Sequence, residues 1–335
     1  MNVTIIGAGS WGTALAMVLS KAGNTVNIWA RETTIVENIN SRHINGVYLP
    51  NIQLPSSIKA FSELKDALKD ADLVVFATPS HTVRELARCT RPYLSGHEVI
   101  VNVAKGIENN TFMTMTQILA EVLEGCIIED HIGVLCGPSH AEEVSLHKPT
   151  TVVSAANSKT TAKIIQQAFM TPMFRVYVNH DVIGVEVAGS VKNILAIAAG
   201  IVEGLDLGDN ASAALLTRGL AEMKRLGQRL GASQDTFSGL AGIGDLIVTC
   251  TSRHSRNRFV GYQIGKGETL EEIVSKMNMV AEGVNTTRSV YKWSQKLNVD
   301  MPITERVYNV LFENVNPKDT VYDLMTRDPK EEILM

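Results

Sequence analysis

At 335 residues the chain is longer than a single hydrophobic core usually serves, so two domains are expected. Its 31 basic and 35 acidic residues leave a formal charge of −4, which excludes a nucleic-acid or anionic-membrane surface built on basic excess. The 45% apolar content supports a real core, and the four cysteines, with no C-x-x-C pair, fit free thiols in a reducing compartment.

In chain order, residues 1–9 (MNVTIIGAG) carry no basic n-region or cleavage site, so no secretory signal is expected and a cytoplasmic location is. A compact apolar strand spans 3–6, a helical pattern 13–21 ends near Gly23, and a second strand spans 25–29. Further strands are predicted over 73–77, 98–103, 131–135 and 151–154, with helical segments at 64–69 and 82–91. Alternation of this kind predicts a mostly parallel sheet covered on both faces. Residues 54–62 and the C-terminal tail carry little signal.

From about residue 181 long helical patterns take over, at 182–205, 211–230, 269–276, 286–297 and 303–312. The fold class expected is α/β, a doubly wound Rossmann-like sheet over 1–183 followed by an all-helical domain over 184–335. The stretch 182–205 is the most apolar, but Glu186, Lys192 and Glu203 suit a buried helix better than a membrane span.

Gly7-Ala8-Gly9-Ser10-Trp11-Gly12 is G-x-G-x-x-G, placed directly after a strand and before a helix. Gly7 permits the tight turn, Gly9 lets the backbone approach a pyrophosphate, and Gly12 allows close helix–strand packing. The phosphates of a nicotinamide dinucleotide then rest on the N–H groups at the positive helix end. The second strand runs into Arg31 where NAD-specific sheets place an acidic residue, so NADP is favoured over NAD. Arg31 stacking on adenine, or simply solvated, is the alternative.

Several segments bear chemistry. Lys105 follows the apolar run 99–103, at the strand end where ligands bind in open parallel sheets; a solvated loop lysine is the plainer reading. Gly137 and Ser139 follow another strand end and suit contacts to substrate or nicotinamide, although a β-turn explains Gly-Pro equally well. Lys192 stands among small and apolar residues, where desolvation lowers its pKa and makes it a proton acceptor, unless it snorkels out or pairs with a structural carboxylate. Asp245, in the glycine-rich LAGIGDL, is placed to orient Lys192 and tune its proton affinity, or to cap a helix. Ser255, Arg256 and Asn257 offer a phosphate-binding set, or a solvated basic turn. No His, Cys and carboxylate spacing of a metal site is present.

These segments together resemble the NAD(P)-dependent glycerol-3-phosphate dehydrogenases of the bacterial type. The resemblance rests on GAGSWGTALA at 7–16, AKGIE at 104–108, CGPSHAEE at 136–143, VEVAGSVKNILAIAAGIVEGL at 185–205, LAGIGDLIVTCTSRHSRNRFVG at 240–261 and VAEGVNTT at 280–287. It implies cofactor contacts from Ser10, Trp11, Arg31, Ala141, Arg256, Val280 and Glu282, with Lys105 bridging cofactor and substrate. It implies substrate contacts from Gly137, Ser139, Lys192, Asp245, Ser255, Arg256 and Asn257; none of these positions departs from the family's pattern, and His140 and Ala141 stand in a segment that varies within the family. The activity implied is reversible hydride transfer between NAD(P)H and dihydroxyacetone phosphate, giving sn-glycerol 3-phosphate for phospholipid synthesis. Lys192, neutral through desolvation, is then the group that takes the C2 hydroxyl proton. The resemblance also allows a homodimer. Two rivals remain: a related two-domain dehydrogenase of another substrate, and a non-catalytic NAD(P)H-binding redox sensor with no need of Lys192.

Overall fold

The computed structural model describes residues 1–277, 280–329 and 331–332. Its main sheet has strands β1 (Asn2–Ile6), β2 (Thr25–Trp29), β3 (Lys59–Phe61), β4 (Leu73–Phe76), β5 (Val99–Asn102), β6 (Ile132–Cys136), β7 (Thr150–Ala156) and β8 (Phe174–Asn179). They lie in the order β8-β7-β6-β5-β4-β1-β2-β3. All neighbours are parallel except β6 and β7, so the last two strands run against the rest.

The central strands are continuous apolar runs because both faces are covered. Alternation along each strand divides the core. Ile5, Leu73, Val75 and Val101 pack on one side, and Ile6, Val74, Phe76 and Ile100 on the other. The missed strands β3 and β8 lie at the two edges, where one partner is absent and the apolar run is correspondingly short or interrupted. Helices Thr33–Arg42, Met115–Val122 and Lys159–Phe169 were likewise not foreseen from the sequence.

Beyond β8 the chain is helical. Helix α1 (Ser10–Lys21) follows the glycine turn in the first half; the second half is built around α2 (Val182–Gly204), α3 (Gly208–Arg229), α4 (Asp245–Thr251), α5 (Arg256–Gly265), α6 (Glu282–Leu297) and α7 (Pro302–Phe312). Although α2 is long and apolar enough to cross a membrane, 89% of its most apolar window is buried within the protein. Asp181 caps its start by accepting from Gly184 N at 2.9 Å. The buried Glu186 fastens it to the sheet side, accepting from Thr116 N at 3.0 Å and Asn102 Nδ2 at 3.2 Å. Burial holds that carboxyl above the usual range, against these donors.

Helices α2 and α5 cross at backbone contact. A methyl added at Gly200 would stand 2.0 Å from the Arg258 carbonyl oxygen, and one at Gly261 would stand 1.9 Å from that of Ile197. This crossing brings the start of α5, with Ser255, Arg256 and Asn257, beside the Lys192 stretch of α2.

Candidate active site

The glycine turn sets one end of the site. Gly7 has φ +115°, and a side chain there would strike the Ala77 carbonyl at 2.7 Å. A methyl on Gly12 would lie 2.1 Å from the Gly7 carbonyl, so the first turn of α1 presses directly onto the loop. Around the Gly9 Cβ direction nothing lies within 4 Å, and no side chain caps α1. The first-turn N–H groups thus face open space, and Thr78 Oγ1 nearby is buried with no partner. These features fit a dinucleotide pyrophosphate.

The cavity above this turn measures about 650 Å³ and runs between the sheet and the helical half. Of the residues singled out in the sequence, Gly7, Gly9, Ser10, Trp11, Arg31, Lys105, Ser139, Ala141, Lys192, Asp245, Ser255, Arg256, Asn257, Val280 and Glu282 all line it. Gly12 does not; it lies behind, against Gly7. Gly137, at φ +142°, sits under the floor and offers its carbonyl to Lys105 at 3.1 Å.

At the centre is a buried carboxylate between two ammonium groups. Lys192 Nζ donates to Asp245 Oδ1 at 2.6 Å, and Lys105 Nζ donates to Asp245 Oδ2 at 2.7 Å. Lys192 donates also to Thr249 Oγ1 at 2.6 Å, and Thr249 in turn donates to the Asp245 carbonyl. The Cys136 thiol rests 3.7 Å from Asp245 Oδ2, and burial pushes it up to about 11, which leaves it inert. With two of three N–H groups of each lysine used on described residues, each retains one for a ligand.

Electrostatics distinguish the two lysines. Burial presses the Lys192 ammonium down to about 8; Asp245 opposes this, and the charge on Lys105 adds to it. For Lys105, burial also works against the charge, but Asp245 more than offsets it and holds the group above the ordinary lysine range. Its side chain is 20% exposed against 5% for Lys192, consistent with that order. Asp245 lies below the usual carboxylate range: burial would raise it, and the two ammonium groups prevent that. The lowering that desolvation was expected to give Lys192 is present, and Asp245 opposes it.

The phosphate-binding set is partly engaged within the protein. Ser255 caps α5 by accepting from Arg258 N at 3.2 Å. Asn257 Nδ2 donates to Asn193 Oδ1 at 3.0 Å and its Oδ1 accepts from Gly283 N at 2.9 Å. Arg256 is exposed and donates to the Val280 carbonyl at 3.1 Å. Across the cavity, Glu282 accepts from Ser80 N at 2.9 Å and Ser80 Oγ at 2.5 Å, joining α6 to the loop after β4. Arg31, 83% exposed, is paired with Glu32 at 2.8 Å, which raises its already high pKa.

Thr249, Ser80 and Asn193 were missed. Thr249 had one signal, its i+4 spacing from Asp245, but only once α4 is known to be a helix. Ser80 and Asn193 meet partners 202 and 64 residues away, and no local pattern marks them.

The chain is similar to known proteins along nearly its whole length. The family description "NAD-dependent glycerol-3-phosphate dehydrogenase N-terminus" matches residues 2–162, and its C-terminus counterpart matches 181–322. A glycerol-3-phosphate dehydrogenase acting with NAD(P)+ from Chlorobium phaeobacteroides is 52% identical over 99% of this chain and 99% of its own. One from Staphylococcus haemolyticus is 49% identical with the same coverage. The crystal structure of glycerol-3-phosphate dehydrogenase from Coxiella burnetii superposes with TM-score 0.92 at 39% identity, covering 97% of this chain and 99% of that one.

Proposed function

The chain belongs to the NAD-dependent glycerol-3-phosphate dehydrogenase family, and from that premise we propose how its residues divide the work. The enzyme is an oxidoreductase that interconverts dihydroxyacetone phosphate and sn-glycerol 3-phosphate with NAD(P)H as the partner. When bound, the nicotinamide gives or receives the hydride at substrate C2.

Residues 1–183 form the cofactor-binding unit and 184–335 the substrate unit. Gly7, Gly9, Ser10 and Trp11 would hold the coenzyme pyrophosphate, and Arg31 would meet the 2′-phosphate of NADP. Ser255, Arg256 and Asn257 dock the substrate phosphate, which fixes the three-carbon chain in front of Lys192. Lys105 and Lys192 each direct their remaining N–H toward the C2 oxygen. In the reductive direction Lys192 donates its proton to the developing alkoxide. In the oxidative direction its neutral form takes the C2 hydroxyl proton. Asp245 and Thr249 hold Lys192 in the orientation that leaves one N–H for substrate. A cytoplasmic enzyme feeding phospholipid synthesis, with a homodimer as its assembly, is the setting we infer.

The observation that carries this reading is the Lys105–Asp245–Lys192 cluster facing the same cavity as the glycine turn. The test is oxidation of NADPH and of NADH by the purified protein with dihydroxyacetone phosphate. Coenzyme binding without substrate-dependent oxidation would favour a redox sensor instead.

A further inference from the structure

One buried carboxylate has no part in the chemistry described so far. Glu186 lies on α2 six residues before Lys192 and is 5% exposed. Its partners are neutral donors: Thr116 N at 3.0 Å, the Thr116 hydroxyl, and Asn102 Nδ2 at 3.2 Å. Among the described residues no cation pairs with it. A carboxylate buried without a counter-charge is a poor way merely to fasten a helix, since an apolar contact does that at less cost.

The fully buried Asn102, at the end of β5, leads from Glu186 to the catalytic cluster. Its Nδ2 also donates to the Ala104 carbonyl at 2.9 Å, and its Oδ1 accepts from Ala104 N at 3.0 Å. Asn102 thereby grips both polar groups of the residue before Lys105. On α2, Glu186, Gly189 and Lys192 follow at i+3 spacing and share one face. Gly189 leaves that face bare for the Lys105 stem: a methyl there would stand 3.7 Å from Lys105 Cγ and 3.9 Å from Cδ. The contacts close a ring. Glu186 holds Asn102, Asn102 holds the backbone beside Lys105, Lys105 and Lys192 share Asp245 at 2.7 and 2.6 Å, and α2 returns to Glu186.

We propose that Glu186, acting through Asn102, is a positioning residue that sets where the Lys105 ammonium meets Asp245, and so the spacing of the two ammonium groups that face substrate. The inference rests on the function assigned to the cavity above. Lys105 comes from the sheet half, whereas Asp245 and Lys192 come from the helical half. A lysine stem is flexible, and a single ion pair leaves its Nζ several positions. Fixing the backbone at Ala104 and the stem over Gly189 removes that freedom. Misplacing a catalytic group by about 1 Å costs up to roughly 10²-fold in rate.

The test compares Glu186→Ala with Glu186→Gln, each alone and with Lys105→Met. Gln keeps an oxygen for Thr116 N and Asn102, so a role played by geometry survives it. We expect Glu186→Ala to lower kcat/KM for dihydroxyacetone phosphate by about 10–100-fold, and Gln to restore most of it. The limb near 8 in the pH profile of kcat/KM should rise in the Ala variant and stay in the Gln variant, because a displaced Lys105 no longer lowers Lys192. With Lys105→Met already present, Glu186→Ala should cost less than a further twofold, since the residue it positions is gone. A full loss that persists beside Lys105→Met, or a limb unmoved in the Ala variant, overturns the proposal. Asn102→Ser cuts the same tie from the strand side and meets the same two outcomes if the Ala variant does not fold. An active wild type with additive losses refutes the positioning role alone. A wild type inactive on dihydroxyacetone phosphate refutes the function reading and the positioning role with it.

Discussion

Replacing Lys192 with Met removes the proton-carrying group while keeping an unbranched side chain in its place. The structure limits the collateral damage. Asp245 keeps Lys105 at 2.7 Å, so the buried carboxylate is not left without a counter-charge. What is lost is general acid–base catalysis, worth about 10²–10⁴-fold in kcat, or roughly 3–5 kcal/mol of transition-state stabilisation. The pH dependence supplies a second signature. In the wild type, reduction needs the ammonium, so its rate falls as pH rises through about 8, whereas oxidation needs the amine and rises through the same value. The assay is kcat and kcat/KM in both directions from pH 6 to 9.5, the limb near 8 being read from kcat/KM because it belongs to the free enzyme, with coenzyme affinity from quenching of nicotinamide fluorescence. Coenzyme affinity should stay within a few-fold of wild type, and the limb near 8 should vanish from any residual activity. A Met variant within tenfold of wild-type kcat, or one that keeps the limb, refutes the role given to Lys192.

Further outcomes follow from the same geometry. Arg31→Asp places a carboxylate beside Glu32 and should shift preference from NADPH toward NADH by tenfold or more in kcat/KM, on the order of 1.4 kcal/mol; an unchanged ratio would remove Arg31 from the coenzyme site. Arg256→Ala should lower kcat/KM for dihydroxyacetone phosphate by about 10–100-fold, the worth of hydrogen bonds to a charged group. An effect of less than twofold would send the phosphate elsewhere. Gly200→Val should lower the melting temperature by several degrees, because the new side chain meets a backbone carbonyl that cannot move aside, at about 1–3 kcal/mol. Scanning calorimetry checks it, and an unaltered midpoint would mean the two helices do not touch.

How far the sequence reveals all this depends on which interactions are local. The strands at 73–76, 99–102 and 132–136 are legible because burial on both faces demands unbroken apolar runs. The glycine turn is legible because each glycine answers a separate steric demand, at Gly7 a positive φ and at Gly12 a carbonyl 2.1 Å from a methyl. Helices α4 and α5 were read only as polar, glycine-containing motifs. Their helicity depends on packing against α2, and the short range from 245 to 265 holds too little periodicity to show it. The burial of Lys192 is legible from its neighbours, and so is a role for Asp245 in tuning it. That Lys105 shares the same carboxylate is not, since the contact spans 140 residues of sequence. Desolvation, legible from the neighbours, lowers the Lys192 pKa most; Asp245 opposes it, and Lys105, through that long-range contact, adds to the lowering.

The sharing also explains how one site serves both directions of the reaction. Two ammonium groups around one carboxylate leave a single net positive charge in a buried cluster. That charge attracts a phosphorylated substrate and stabilises an alkoxide forming at C2. Burial lowers the Lys192 pKa most and Asp245 raises it; paired with Asp245 alone, Lys192 would hold its proton more tightly. With Lys105 holding the other oxygen, part of the Asp245 charge is already compensated, and Lys105 itself repels a proton on Lys192. A value of about 8 is the result, close enough to neutrality for donation and acceptance to be run by the same nitrogen. Lys105→Met should therefore raise the pH limb above 8 and slow oxidation at neutral pH more than reduction, and a limb that stays in place would show that Lys105 acts on substrate alone.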